Sequence, residues 1–191
     1  MKAPAVLDSE RLTIEPLAWV EAERLRTMLV REQVRRFLLD DEVPTPAEFQ
    51  AVLAPMLAHG HRGLGLWWLR RRATTDDEPC GVVGLHPVRP TEAAERTDLA
   101  NAIQVLVALA PEAWGRGYAA EALRRLVDHG FDDLGLSELV ALVDEPNQRS
   151  QRLMHSLGFR TDGHVAGALH PLAVWRLPAP AVSKHRRPAL D

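Results

Sequence analysis

Two glycines separated by one residue stand between an apolar run and an amphipathic pattern, in Trp114-Gly115-Arg116-Gly117-Tyr118-Ala119. The run before them, residues 103–109, is apolar except for Gln104. After them, Ala119, Ala122, Leu123, Leu126 and Val127 recur at helical spacing. A strand, a short loop and a helix start are therefore expected. The first N–H groups of a helix lack partners within it and carry a partial positive charge. Glycine keeps side chains away from those groups and accepts dihedrals closed to other residues. The segment can thus cradle a phosphate or pyrophosphate. By itself the pattern is weak. It lacks the Gly-Lys-Ser/Thr of a P-loop, and Ala120 stands where a dinucleotide fingerprint has its third glycine. Plain service in a tight turn stays open for both glycines.

Other residues with chemical potential are scattered. Asn147 opens the pattern of residues 147–157 and suits a helix N-cap. His86 ends the apolar run of residues 81–86, and an unperturbed histidine titrates near neutrality; a surface position before Pro87 is the competing reading. Glu112 and Glu121 are further carboxylate candidates, with Glu121 also suited to favour a helix start by its charge. His155 and His170 complete the set. Cys80 is alone, so no intrachain disulfide can form, and its apolar surroundings predict a buried small hydrophobe. No spacing of His, Cys, Asp and Glu suggests a metal site.

The elements that must position these residues follow from periodicity and punctuation. Residues 11–17 alternate as a strand, and a helical pattern from Trp19 carries Leu25, Met28 and Leu29, continued by Val34, Phe37 and Leu38. Thr45, Pro46 and Glu48 form a helix start with a capping box, followed by the stripe Phe49, Val52, Leu53, Met56 and Leu57 up to Gly60. Pro55 is expected to kink or shorten that helix. Strands are expected at 66–71 and 81–86 around a turn at 74–79, and residues 89–98 read as an exposed loop. The run 103–109 reads as a central strand covered on both faces. The helix near Gly117 runs toward Gly130, and a buried strand at 139–143 leads to the helix at 147–157, which Gly158 ends. Closing strands begin at Phe159 and span 172–177. Trp67 and Trp68 are adjacent on a strand, so one points to each face.

With 46% hydrophobic and 26% charged residues in 191, the chain suits one domain over residues 1–178 and a flexible tail at 179–191. Its net charge of −3 argues against nucleic acid as a partner, and the cluster Lys184, His185, Arg186 and Arg187 reads as a solvated end. No segment has the apolar length of a signal peptide or a membrane span, so a cytoplasmic location without membrane partners is expected.

The segment Trp114-Gly115-Arg116-Gly117-Tyr118-Ala119, extended to Glu121-Ala122, resembles the coenzyme A loop of the GNAT superfamily of N-acetyltransferases. It is most similar to the Rim-type branch that acetylates ribosomal-protein N-termini. The segments starting at Leu7, Gly81 and Asn147 resemble that branch's opening strand, third strand and second cofactor-binding motif. The resemblance spans residues 7–177. It implies an α/β fold with a mixed, mostly antiparallel sheet of about six or seven strands and about four helices. It also implies acetyl-CoA as cosubstrate, no metal, and acetyl transfer by direct attack to a primary amine. The acceptor would be a protein N-terminal α-amine or a small-molecule amine, and the enzyme a monomer or homodimer. A non-catalytic acyl-CoA-binding or regulatory module with the same fold is the alternative.

Residue by residue, the resemblance implies that backbone groups of Val107 and Leu109 meet the pantetheine arm between two splayed strands. A bulge N–H near Val107 would face the thioester oxygen. Backbone N–H groups of Gly115, Arg116, Gly117, Tyr118 and Ala119 would hold the pyrophosphate, beside Trp114, where many relatives have Gln or Arg. Asn147 would face the arm as well as cap its helix, and Arg149 and Arg152 could reach the phosphates. Many relatives protonate the departing thiolate with a tyrosine seven residues after this Asn; Met154 stands there, and the chain's single tyrosine is Tyr118. Ser150 takes the thiolate role by resemblance, as a hydrogen-bond donor more than an acid. Gln104 stands where this branch often carries Glu and cannot serve as base; His86 is then a base candidate, with Glu112 and Glu121 still possible.

Overall fold

The computed structural model describes residues 4–72 and 78–181. The basic cluster at 184–187 and most of the turn at 74–79 lie outside the described residues. Eight strands form one sheet: β1 (Leu7–Asp8), β2 (Leu12–Pro16), β3 (Gly65–Arg71), β4 (Gly81–Pro87), β5 (Ile103–Leu109), β6 (Glu138–Asp144), β7 (Arg160–Val165) and β8 (Leu172–Pro178). Their order is β1-β2-β3-β4-β5-β6-β8-β7. Every neighbouring pair is antiparallel except β5 and β6. The eighth strand, beyond the seven read from periodicity, is β1. Its two residues are too few to show alternation.

Five α-helices accompany the sheet: α1 (Ala22–Leu29), α2 (Glu32–Arg35), α3 (Pro46–Leu57), α4 (Tyr118–Asp128) and α5 (Gln148–Ser156). The first helical pattern divides into α1 and α2. Helix α3 starts as expected: Thr45 accepts from the Glu48 N–H, and the Glu48 carboxylate accepts from the Thr45 N–H. It continues through Pro55 to Leu57.

Two cores sandwich the sheet. On one face Leu123 and Leu126 of α4 and Met154 of α5 pack with Trp67, Val83, Leu85 and Phe159. On the other, Leu25, Leu29, Phe49 and Leu53 of α1 and α3 pack with Leu66, Trp68 and Val82. Trp67 and Trp68 thus point to opposite faces, and both are buried. Burial of a large apolar side chain contributes on the order of 2 kcal/mol, so both faces of β3 and β4 are strongly fixed. Cys80 is buried, and that burial pushes its thiol up.

Residues 89–98 form the mostly exposed loop that their polarity suggests, but the loop is anchored inward at Glu92 and Ala93 and at its two ends. Val88, Ala93 and Leu99 are buried against Val140, Val165 and Val174 of β6, β7 and β8. The segment thereby roofs the sheet beyond β5. Ion pairs tie it down: Arg96 and Arg176 both engage Asp98 and Asp162.

Candidate active site

β5 and β6 are in register only at Gln104 and Val140. Beyond that point the parallel strands diverge, which opens a gap beside the second half of β5. The Ala110 N–H donates to the Cys80 carbonyl, on the β4 side. Backbone groups alternate in direction along a strand, so those of Val105, Val107 and Leu109 face the gap. β5 keeps unbroken register with β4 from Gly81–Leu109 to Pro87–Ile103, so no bulge occurs at Val107 on that side. None is required, because the divergence of β6 already leaves the Val107 backbone facing the gap. The Leu109 carbonyl accepts from Trp114 Nε1 at 2.9 Å, which anchors the indole at the mouth.

Gly115 and Gly117 have φ of 73° and 79°, in the left-handed region that favours glycine. A Cβ on Gly115 would meet nothing within 4 Å, so the loop surface there is open. Gly117 is the N-cap of α4 and supplies no side-chain cap. The first N–H groups of this 11-residue helix therefore point outward from an open, glycine-lined turn. Glu121 stands in the first turn of α4, where its charge suits the helix start, and it has a second task as well. It accepts from the Ser9 hydroxyl and from the Arg11 backbone and guanidinium, while Arg11 also bonds the Arg116 carbonyl and lies over Tyr118. Burial would raise the Glu121 carboxyl, but these hydrogen bonds outweigh it and hold it below its ordinary range. The β1–β2 hairpin is thus bolted to the loop from behind.

Asn147 caps α5 by accepting from the Ser150 N–H at 3.1 Å. The bond uses the Ser150 backbone and leaves its hydroxyl out of the cap. Arg149 lies over the Trp114 ring, 4.6 Å from its centroid, a cation–π contact that joins α5 to the loop. Two cavities meet here. The first, about 460 Å³, runs past Val107, Leu109, Trp114, Gly115 and Arg149. The second, about 500 Å³, runs past His86, Glu92, Gln104 and Asp144. Val107, Asn147 and Ser150 line both, so they stand at the junction.

His86 is 3% exposed rather than a surface residue. Its Nδ1 lies 3.0 Å from the Pro87 carbonyl. A carbonyl can only accept, so Nδ1 carries the hydrogen and Nε2 presents a lone pair. Nε2 is buried and has no hydrogen-bond partner, and the ring lines the second cavity. Burial pushes the imidazole below the ordinary histidine range, against the raising pull of the Pro87 carbonyl and the Glu92 charge. The ring is neutral at pH 7.

Gln104 pairs across strands with His86, and its Nε2 donates to Glu92 at 3.2 Å. Glu92 also accepts from the Arg89 N–H and guanidinium. The loop thus brings a carboxylate beside the very position where sequence reasoning finds Glu replaced by Gln. A local signal for it existed: Pro90 follows Arg89, and Glu92 stands three residues after Arg89, as in a capped turn. Glu112 lies elsewhere. It is exposed and bound by the Arg31 guanidinium, which holds its carboxyl at about 2. His155 is also exposed, on α5. Among the described residues, no group of three or more His, Cys, Asp and Glu side chains is arranged to hold a metal ion. No helix among them is long and apolar enough to cross a membrane.

Comparison with known proteins agrees with this architecture. The family model described as "Acetyltransferase (GNAT) domain" matches residues 11–160. The uncharacterised N-acetyltransferase YoaA of Bacillus subtilis (strain 168) is 26% identical over 159 residues, 83% of this chain and 84% of its own. Among solved structures, an acetyltransferase from Agrobacterium tumefaciens superposes with a TM-score of 0.73 at 24% identity, covering 93% of this chain and 96% of that one. RimL, a ribosomal L7/L12 alpha-N-protein acetyltransferase solved in complex with coenzyme A, superposes with a TM-score of 0.70 at 14% identity, covering 92% and 98%. With a diverging β5–β6 pair, a left-handed glycine loop at a helix start and a family match over most of its length, the chain belongs to the GNAT acetyltransferase family and is an acetyl-CoA-dependent acetyltransferase.

Proposed function

We propose that the chain transfers an acetyl group from acetyl-CoA to a primary amine by direct attack, with His86 as general base. The observation that carries this reading is the buried, unpartnered Nε2 of a neutral histidine lining the cavity that meets the β5–β6 gap. The open turn at Gly115 and Gly117 and the outward N–H groups of α4 suit a pyrophosphate. The gap-facing backbone of Val107 and Leu109 suits an extended arm with amide groups. Bound acetyl-CoA supplies an acyl thioester whose carbonyl carbon the amine attacks.

The chain's own groups then divide the work. His86 Nε2 accepts the proton of the attacking nitrogen as the N–C bond forms and the C–S bond breaks. The Glu92 charge, held by Arg89 and Gln104, stabilises the resulting imidazolium. The Val107 N–H faces the position where negative charge develops on the carbonyl oxygen, and a fixed donor there stabilises it. Ser150 Oγ, at the junction of the cavities, donates to the departing sulfur. The sulfur takes its proton from solvent, since Met154 is buried and apolar and Tyr118 lies under Arg11 in the loop.

Both an N-terminal α-amine and a small amine satisfy this chemistry. A neutral base matters more for alkylamines, whose ordinary pKa near about 10.4 leaves them charged, than for an α-amine at about 7.7–8. The test is release of free CoA from acetyl-CoA over a panel of peptides and small amines, alongside the rise in melting temperature that CoA must cause if it binds the native state. Turnover with any primary amine is the expected result. Stabilisation by CoA without turnover would favour the non-catalytic alternative.

A further inference from the structure

Two walls of the cavity that reaches His86 come from separate parts of the chain. Arg89, Thr91 and Glu92 precede β5, and Ala166, Gly167 and Ala168 lie between β7 and β8. Away from the cavity the two parts are fastened together. Arg96 donates from Nη1 to the Asp162 carbonyl at 2.8 Å and from Nη2 to its carboxylate at 2.7 Å. β7 makes room for this. Its register with β8 shifts between Thr161 and His164, Gly163 has φ of 78°, and a Cβ there would stand 3.4 Å from the Arg96 guanidinium. Such a break re-aims backbone and side chains, and here the Asp162 carbonyl and carboxylate both accept from Arg96. The guanidinium also forks onto Asp98 at 2.9 and 2.8 Å. Arg176 of β8 closes the ring by engaging Asp98, Asp162 and Glu138. A further tie, from the Ala166 N–H to the Glu95 carboxylate at 3.4 Å, reaches a residue of the cavity wall itself.

The rest of the segment is held lightly. Val88 and Leu99 fix its two ends in an apolar cluster, and between them Ala93 adds a single methyl group. The clasping groups are open to water, with Arg96 part-exposed and Asp98 and Asp162 half-exposed. Ion pairs of that exposure are individually weak and are screened by salt, so the fastening is reversible where the packed sheet beneath it is not. Beneath it lies His86, 3% exposed, whose Nε2 is buried and unpartnered. A general base must come within hydrogen-bond reach of the proton it takes, and an amine from solvent reaches this nitrogen when a wall of the cavity moves. Resting on the acetyl-transfer reading above, we propose that residues 89–99 are a strap over the acceptor cavity. Arg96, Asp98, Asp162 and Arg176 form the ionic clasp whose opening admits the acceptor to His86. Because the strap carries Glu92, closing it also returns that carboxylate to Gln104, the cross-strand neighbour of His86.

Modification of histidines by diethyl pyrocarbonate, read site by site by peptide mass spectrometry, tests the strap without relying on turnover. The reagent attacks the unprotonated nitrogen of a neutral imidazole, which His86 presents at Nε2. The full chain is compared at low and high salt with Arg96→Ala and Asp162→Asn. At low salt His86 should react about three- to tenfold faster in each variant, as local opening becomes easier. Salt should speed the reaction in the unaltered chain and have little effect in the variants. His129, 1% exposed and edge-on to Trp67 in the opposite core, reports any general loosening and should keep its rate. An unchanged His86 rate in either variant would overturn the proposal, as would equal acceleration of His86 and His129. Release of CoA over the amine panel, measured in parallel, separates the two claims. Selective acceleration of His86 without turnover of any amine overturns the acetyl-transfer reading alone. Turnover with unchanged His86 rates overturns the strap alone.

Discussion

At the loop between β5 and α4 the chain presents backbone: two left-handed glycines, the first N–H groups of a helix and the free edge of a strand. At the other end of the passage, under the segment 89–99, it presents side chains: His86, Glu92 and Gln104 in one hydrogen-bonded and electrostatic group, with Asp40 and Asp144 nearby. A backbone cradle recognises a ligand common to a family, because it depends on dihedrals and not on particular side chains. A side-chain cluster can be altered one residue at a time, which suits the half of the reaction that sets the acceptor. The two ends should therefore fail differently when perturbed.

The largest expected effect is at the side-chain end. His86→Ala removes the general base and should lower kcat by about a hundredfold to ten-thousandfold, while acetyl-CoA affinity in equilibrium binding stays within about twofold. Loss of cofactor binding instead would erase the distinction between the ends. The same residue carries a pH signature in stability. Its imidazole is buried neutral and titrates below the ordinary value of about 6.5. The unfolded chain therefore binds the extra proton first as pH falls. The contribution of the neutral ring is fully present above about 6.5 and is lost as pH drops through that value toward the folded one. Urea unfolding at pH 8, 6.5 and 5 should show declining stability, with a shallower decline in His86→Asn.

At the backbone end, Gly117→Val forces a β-branched side chain into φ of 79°. Strain of that kind costs on the order of 1–3 kcal/mol, and the new side chain also stands before the outward N–H groups. Acetyl-CoA should bind about ten- to a hundredfold more weakly, and kcat at saturating acetyl-CoA should change little. An unchanged Kd in fluorescence titration would remove the loop from the cofactor site. Ser150→Ala probes the junction and should have the smallest effect. A neutral hydrogen bond is worth about 1 kcal/mol, or roughly a fivefold loss in kcat. The Asn147 cap uses the Ser150 N–H and so survives. Unchanged turnover would exclude the hydroxyl from a role at the sulfur.

The same contrast explains what could be read from the chain before its structure. Gly115 and Gly117 announce positive φ by their type, and Thr45, Pro46 and Glu48 announce a helix start by their spacing, so those features appear where expected. The diverging strands were legible only through the family resemblance, because no local pattern marks where a parallel pair separates. The segment 89–98 is exposed at most positions, as its polarity suggests, but the way it is anchored was not legible. Val88, Ala93 and Leu99 follow neither a strand nor a helix period, and their partners on β6, β7 and β8 lie some distance along the sequence. Glu92 was missed with it. Glu121 stands in the first turn of α4 as its charge suggests, but its bonds to Ser9 and Arg11 were not legible, since those residues come near it only once the β1–β2 hairpin packs beside α4.

The central claim is that the two ends meet at one reacting centre between Ser150 and His86, and a crystal structure with CoA bound tests it most directly. The expected result is the pyrophosphate on the N–H groups of residues 115–119, the arm along Val107 and Leu109, and the sulfur at the junction beside Ser150 Oγ with open space toward His86 Nε2. A sulfur directed away from that junction, or a pyrophosphate held elsewhere than the glycine loop, would contradict it.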